Sequence, residues 1–285
     1  MSLPSAVGAG RSASGLAGPW IESRASLFAI IGCVAAVNGF AGKIAVAFYN
    51  QSFVVTVFDL GGVSAIVWFA IGSLFTIASE GGARPGMQPH DKAVASLTLA
   101  LSFLPLNFAS AIGLLLCGAY LAATSAKDSS DQRIAIIMIA LTGPLIWGRF
   151  LLALIGPFLL GLDARLAGLL AGVPVQGNVV GLRGGGSLYV ALGCSSVHNM
   201  SLAVLLFVTL TQILRLRYTP ILVLTGVGAA LAMAIVNVLR LATLARFPQY
   251  FELMHTGWGG TLCGAISFVA AGAVIAGGVR AELAR

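Results

Sequence analysis

The side chain best placed for covalent chemistry in this sequence is Cys194. It stands in Gly193-Cys194-Ser195-Ser196-Val197-His198-Asn199, a polar cluster at the amino-terminal end of an apolar run. Helix-start amides and nearby cations favour a thiolate, the nucleophilic form of cysteine. Cys33, Cys117 and Cys263 lie within apolar runs, where an unpaired cysteine packs as a small hydrophobe. The spacing of the four suggests neither a disulfide nor a zinc site.

Two more side chains are candidates to act with it. Arg240 closes Asn237-Val238-Leu239-Arg240 at the end of an apolar run, and His255, in Met254-His255-Thr256-Gly257-Trp258, precedes the last such run. An arginine in that position commonly snorkels to lipid headgroups, and an interfacial histidine is commonly a polar helix end. His198 competes with His255, because it follows Cys194 by four residues and so shares a helix face with it. Depth argues the other way, since His198 then lies about 6 Å further into the bilayer at a rise of about 1.5 Å per residue. His198 is therefore kept as a supporting or alternative base, alongside Asn237 and Ser195.

These residues need a frame that brings them to one level, and the composition says what it is. Of 285 residues, 9% are charged and 58% hydrophobic, against roughly a quarter charged in soluble domains. Long Leu-, Ala-, Val- and Gly-rich runs recur along the chain. That is an all-α polytopic membrane bundle, whereas a barrel would show short alternating segments. The net charge of +7 comes from lysines and arginines scattered singly between runs, which reads as topology and not as a nucleic-acid surface.

About eight spans are expected, near 26–46, 61–79, 93–105, 108–124, 134–156, 190–213, 219–239 and 257–279, after a disordered cytoplasmic tail over 1–25. Residues 93–123 form a single apolar stretch broken at Leu104-Pro105-Leu106-Asn107, which predicts a hairpin of two short helices. One tilted helix there gives seven spans. With eight, Arg11, Arg24, Arg84, Lys92, Lys127, Arg133, Arg215, Arg217, Arg280 and Arg285 share one side, which the excess of positive charge makes cytoplasmic. Lys43, Arg165, Arg183, Arg240 and Arg246 fall on the other. Arg240 thus stands where positive charge is scarce, which favours a specific role. The longest outer segment, 157–189, carries Asp163, a Gly172-Val173-Pro174 turn, Gly177-Asn178 and Gly184-Gly185-Gly186, and predicts a short loop or hairpin before the Cys194 helix.

The order and spacing of these pieces across roughly 134–279 resemble the exosortase and archaeosortase family of integral-membrane cysteine transpeptidases. The pieces are a Pro-interrupted span, a small-residue amphipathic helix ending Leu169-Leu170-Ala171-Gly172-Val173-Pro174-Val175, Gly177-Asn178, a Gly-rich turn, Cys194-Ser195, Asn237-x-x-Arg240, and His255 two residues before Gly257. The resemblance implies a catalytic membrane core over 134–285, with Cys194 as nucleophile and Arg240 and His255 as its essential partners. Residues 26–133 are similar in hydropathy only. Position 196 is serine where the family typically has glycine, and His198 stands where a basic residue often follows, which points to a divergent branch.

The resemblance further implies a periplasm-facing site in a bacterial inner membrane. Its substrates are exported proteins with a tripartite carboxy-terminal tail of short motif, transmembrane helix and basic end. Cleavage runs through a thioester, followed by transfer to a lipid or polysaccharide acceptor or to water. No metal or organic cofactor is implied. A small-molecule transporter and a non-catalytic scaffold for exopolysaccharide export are the alternatives. Arg149, the one deep charge, is read as capping a bend after Gly143-Pro144 or pairing with Asp163, and His90-Asp91 as loop residues without a visible partner.

Overall fold

The computed structural model of the chain describes residues 23–80, 86–106, 108–255 and 258–284, apart from the side chains of Arg149, Leu192 and His255. Of the tail expected over 1–25, residues 1–22 lie outside the described residues. Its last positions do not behave as a tail: Ser23 caps helix α1 (Arg24–Gly39) by accepting from the Ser26 N–H, and Arg24 is buried.

The chain continues through α2 (Ala41–Asn50), α3 (Phe53–Phe58), α4 (Ala65–Ala78), α5 (Asp91–Phe103), α6 (Ala109–Thr124) and α7 (Ser130–Thr142). A π-helical turn, Gly143–Trp147, leads into α8 (Gly148–Ala171). The short strands β1 (Val175–Gln176), β2 (Val179–Gly181) and β3 (Ser187–Tyr189) follow, then α9 (Ser196–Ile213), α10 (Pro220–Arg246), α11 (Phe251–His255) and α12 (Trp258–Leu283). Serine or threonine side chains cap the starts of α1, α3, α4, α7, α9 and α10. In an apolar medium such caps matter, because an orphan N–H there has no water to turn to.

The chain is an all-α membrane protein by the length and apolarity of its helices. Among the described residues four are long and apolar enough to cross, at Phe150–Ala171, Ser196–Ile213, Pro220–Arg246 and Trp258–Leu283, and α1 with α2, bent by 50°, counts as a fifth if the bent pair is one span. The count falls short of eight for a geometric reason. With 14, 13, 16 and 13 residues, α4 to α7 are each only about 20–24 Å long at the α-helical rise. The break near Pro105 separates two helices, α5 and α6, that pack on each other.

The segment after residue 156 differs from the expected outer loop. Helix α8 runs on to Ala171, taking Asp163 and Arg165 with it, because the strain of Pro157 is absorbed two residues earlier by a non-helical Ile155. It ends where Gly172 adopts a left-handed φ of 70° and donates to the Gly168 carbonyl. Only 175–189 form the hairpin, as a three-stranded antiparallel meander with Val175 opposite Val180 and Val180 opposite Leu188.

Helix direction is fixed by contacts at one end of the bundle. Arg24 at the start of α1 bonds to Asp91 at the start of α5, Thr124 at the end of α6 and Asp131 at the start of α7. Arg133 of α7 reaches Glu80, just past α4, and the carbonyl of Gln212 near the end of α9. Thr219, capping α10, donates to Glu282 in the last turn of α12. One terminus each of α1, α4, α5, α6, α7, α9, α10 and α12 is thus gathered at a polar end.

Helices α10 and α12 approach closely at Gly278, where an added Cβ would come within 2.7 Å of the Thr225 Cβ. Threonine is branched at that atom, so no rotamer change relieves the clash. Gly278→Ala is expected to cost about 1–3 kcal/mol, seen as a lower thermal unfolding midpoint of the purified protein in detergent.

Candidate active site around Cys194

The meander delivers the chain to Cys194. Val180 and Val190 are fully buried against Ala164, Ala167 and Ala171 of α8 and Ala242 and Ala245 of α10. The Arg183 N–H donates to the Ala245 carbonyl at 2.9 Å, and Val190 and Asn178 exchange two bonds, which tie the exit of β3 back to the first turn. A single 3-10 turn, Leu192–Cys194, then precedes α9.

Cys194 therefore stands before its helix, not one turn inside it. Ser195 is extended (φ −72°, ψ 144°) and its Oγ accepts the Val197 N–H, which makes it the N-cap. Two consequences correct the sequence expectation. The Cys194 to His198 spacing is not helical, so the two do not share a face by periodicity. The first amides of α9 are also committed, the Ser196 N–H to Asp163 Oδ2 at 2.8 Å and the Val197 N–H to Ser195, so they are not aimed at the thiol.

What does hold Cys194 is its main chain. Its N–H donates to the Ala191 carbonyl at 2.9 Å, and its carbonyl accepts from Asn237 Nδ2 at 2.8 Å. Asn237 is buried in α10 and also donates to Ser196 Oγ at 3.3 Å, while its Oδ1 accepts from Asn199 Nδ2 at 3.3 Å. The thiol is half-buried against the α8, meander and α10 cluster.

Arg240 lies three residues beyond Asn237, on the same side of α10. Its Nε is buried and has no hydrogen-bond partner among the described residues. A buried guanidinium N–H left unmatched is costly, and this one is left free to donate to an anionic atom. His255 closes the short helix α11, ahead of α12; its side chain lies outside the described residues. His198 lines a cavity of about 500 Å³ with Lys43 of α2, Pro144 and Gly148 at the π turn, Leu152 of α8, and Gly193, the neighbour of Cys194.

A second cavity, about 440 Å³ and almost wholly apolar, runs between α8, α9 and α10, with Leu166, Leu169, Met200 and Ile235 in its walls and Ser196 and Asp163 among its lining residues. The structure thus brings Cys194, Ser195 and Asn237 into one bonded unit, sets Arg240 one turn beyond Asn237, and puts His198 in the wall of a cavity that Gly193, next to Cys194, also lines. Asp163, Ser196 and Asn199 belong to that unit, a role the sequence does not give them: Asp163 is read there only as a loop residue or a partner for Arg149, and Ser196 as a departure from the family pattern. The only signal was an acidic residue near an apolar stretch, and both Asp163 oxygens turn out to accept from Ser196.

No family model matches the chain, and the comparisons with curated proteins and with solved structures gave no match.

Proposed function

We propose that this chain is an exosortase-like cysteine transpeptidase or peptidase of a bacterial inner membrane, acting on exported proteins with a hydrophobic carboxy-terminal tail. The observation that carries the reading is the buried Nε of Arg240, without a hydrogen-bond partner among the described residues, on the helix that fixes the main chain of Cys194. A nucleophile clamped through its backbone, with a vacant cationic donor one turn beyond the clamp, fits a site built for a developing oxyanion.

The Cys194 thiolate attacks a substrate carbonyl carbon, and Arg240 takes the resulting oxyanion. Collapse breaks the C–N bond, and the leaving amine takes its proton from a histidine, His255 in the first place and His198 as the alternative. The thioester is then attacked by water or by an acceptor hydroxyl or amine, whose proton returns to the histidine as the thiolate leaves. The apolar groove reaching Ser196 suits the hydrophobic segment of the tail.

Eight crossings are part of the same reading, supported by the eight helix termini gathered at one polar end. With Arg24, Arg133 and Arg215 there, that end is cytoplasmic and Cys194 faces the periplasm. A membrane-impermeant maleimide on spheroplasts is expected to label Cys194, and labelling only in inverted vesicles overturns the orientation.

Arg240 is the position that tests the chemistry. Arg240→Lys keeps the charge and loses the planar fork, and processing of tailed precursors is expected to fall about 10²–10³-fold, the typical cost of one oxyanion donor. Quantitative mass spectrometry of cells carrying the stably inserted variant measures this, and native-level processing removes the oxyanion role.

A further inference from the structure

Asp163 sits on α8, 7% exposed, and both of its oxygens are spent on a single residue. Oδ2 accepts the Ser196 N–H at 2.8 Å and Oδ1 accepts the Ser196 hydroxyl at 2.7 Å. Ser196, with its proton given to Asp163, accepts in turn from Asn237 Nδ2 at 3.3 Å, and the same Asn237 nitrogen holds the Cys194 carbonyl at 2.8 Å. Three helices therefore meet at the two peptides that follow Cys194: α10 through Asn237 on the Cys194 carbonyl, and α8 through Asp163 on the N–H and hydroxyl of Ser196, the first residue of α9.

Ser195 takes only the Val197 N–H among the first amides of α9, which a helix start leaves without partners of its own. Asp163 takes that of Ser196 and the Ser196 hydroxyl as well, from 33 positions earlier on another helix. Its surroundings include Leu159, Leu162, Leu166 and Val197. A carboxylate in such a place is tolerated only if it is fully bonded, and the positive end of α9 with the Ser196 hydroxyl supplies those bonds. The carboxylate in return removes the rotational freedom of the turn that carries the thiol.

We propose that Asp163 is the positioning residue of the site, setting the direction of Cys194 through Ser196 and Asn237. The proposal rests on the reading of Cys194 as nucleophile, although its main readout does not need a substrate. A nucleophile released from its alignment meets a small reagent more readily and its own substrate less productively, so reagent reactivity and turnover move in opposite directions. Loss of a merely structural contact would instead expose every cysteine together.

The experiment uses the full chain in detergent, with peptide-resolved alkylation by iodoacetamide and Cys33 and Cys263 as internal references. In Asp163→Asn and Ser196→Ala, alkylation of Cys194 is expected to rise about tenfold with the references unchanged, while processing in cells falls about 10²-fold, the typical cost of a small misplacement. The double variant Asp163→Ala with Ser196→Ala is expected to be no worse than the larger single effect, since both cut one link. Cys194 alkylation within about twofold of native in Asp163→Asn, or no shift in Ser196→Ala, overturns the proposal; if Asp163→Ala speeds all the cysteines by unfolding, Ser196→Ala still decides. Altered alkylation in a chain that processes nothing would instead refute the transpeptidase reading and leave the positioning role standing.

Discussion

Cells carrying Cys194→Ala are expected to accumulate exported proteins that retain a hydrophobic carboxy-terminal tail, with processing reduced about 10⁴-fold or more, as when a covalent nucleophile is removed. The variant isolates chemistry from folding unusually well. Both hydrogen bonds that hold the residue belong to its main chain, and the thiol is only half-buried, so alanine keeps the clamp and loses little packing. The stability cost should stay near 1 kcal/mol. Mass spectrometry of membranes and secreted proteins, compared with the native strain, reads the result and reveals the shared motif of the accumulated tails. An unchanged proteome with the variant stably inserted would move the chain to the transporter or scaffold readings.

The sequence discloses the membrane class because charge is scarce everywhere, and it discloses the ends of helices where punctuation is chemical. The α5 to α6 break is written in Leu104-Pro105, and the end of α8 in Gly172, where a left-handed φ suits glycine. It misleads at Pro157, which reads as the end of a span. A proline can persist inside a helix when a nearby residue takes up the distortion, as Ile155 does here, and no local pattern announces that. The placement of Cys194 inside a helix fails for a reason that was available: Ser195 before an apolar run is an N-cap signal, which moves the helix start past the cysteine and breaks the four-residue spacing to His198.

The rest of the site is nonlocal. Asp163 meets Ser196 across 33 positions and Asn237 meets Cys194 across 43. One sequence with no repeat and no paired motif gives these contacts no marker. The helix faces that bring them together are set by small residues such as Ala164, Ala167, Ala242 and Ala245, all buried where α8 and α10 approach. Such residues pack closely without advertising a partner.

Arg24→Ala is expected to be the most destabilising single change in the chain, at about 3–5 kcal/mol, the range for removing one partner of a buried ion pair. Arg24 is 1% exposed, Asp91 0% and Asp131 1%. The Arg24 Nε is 3.0 Å from both Asp91 oxygens, its Nη1 donates to the Thr124 carbonyl and reaches Asp131 at 3.5 Å, and its guanidinium lies 5.7 Å from the rings of Phe28 and Tyr120. Asp91 has further donors in Tyr120 and the Gln88 N–H, but Asp131 Oδ1 has none among the described residues. Two buried carboxyls thus share one guanidinium, and alanine leaves both without their cation, so the loss exceeds that of an ordinary surface pair. Thermal unfolding of purified protein measures it. Asp131→Asn placed on top of Arg24→Ala should recover part of the loss, because the orphaned charge goes with it. The cluster joins α1, α5, α6 and α7 at the end of the bundle away from Cys194, so the surviving folded fraction should keep its Cys194 alkylation rate. A parallel fall in folded protein and in per-molecule reactivity would mean instead that the two ends are coupled through the helices between them.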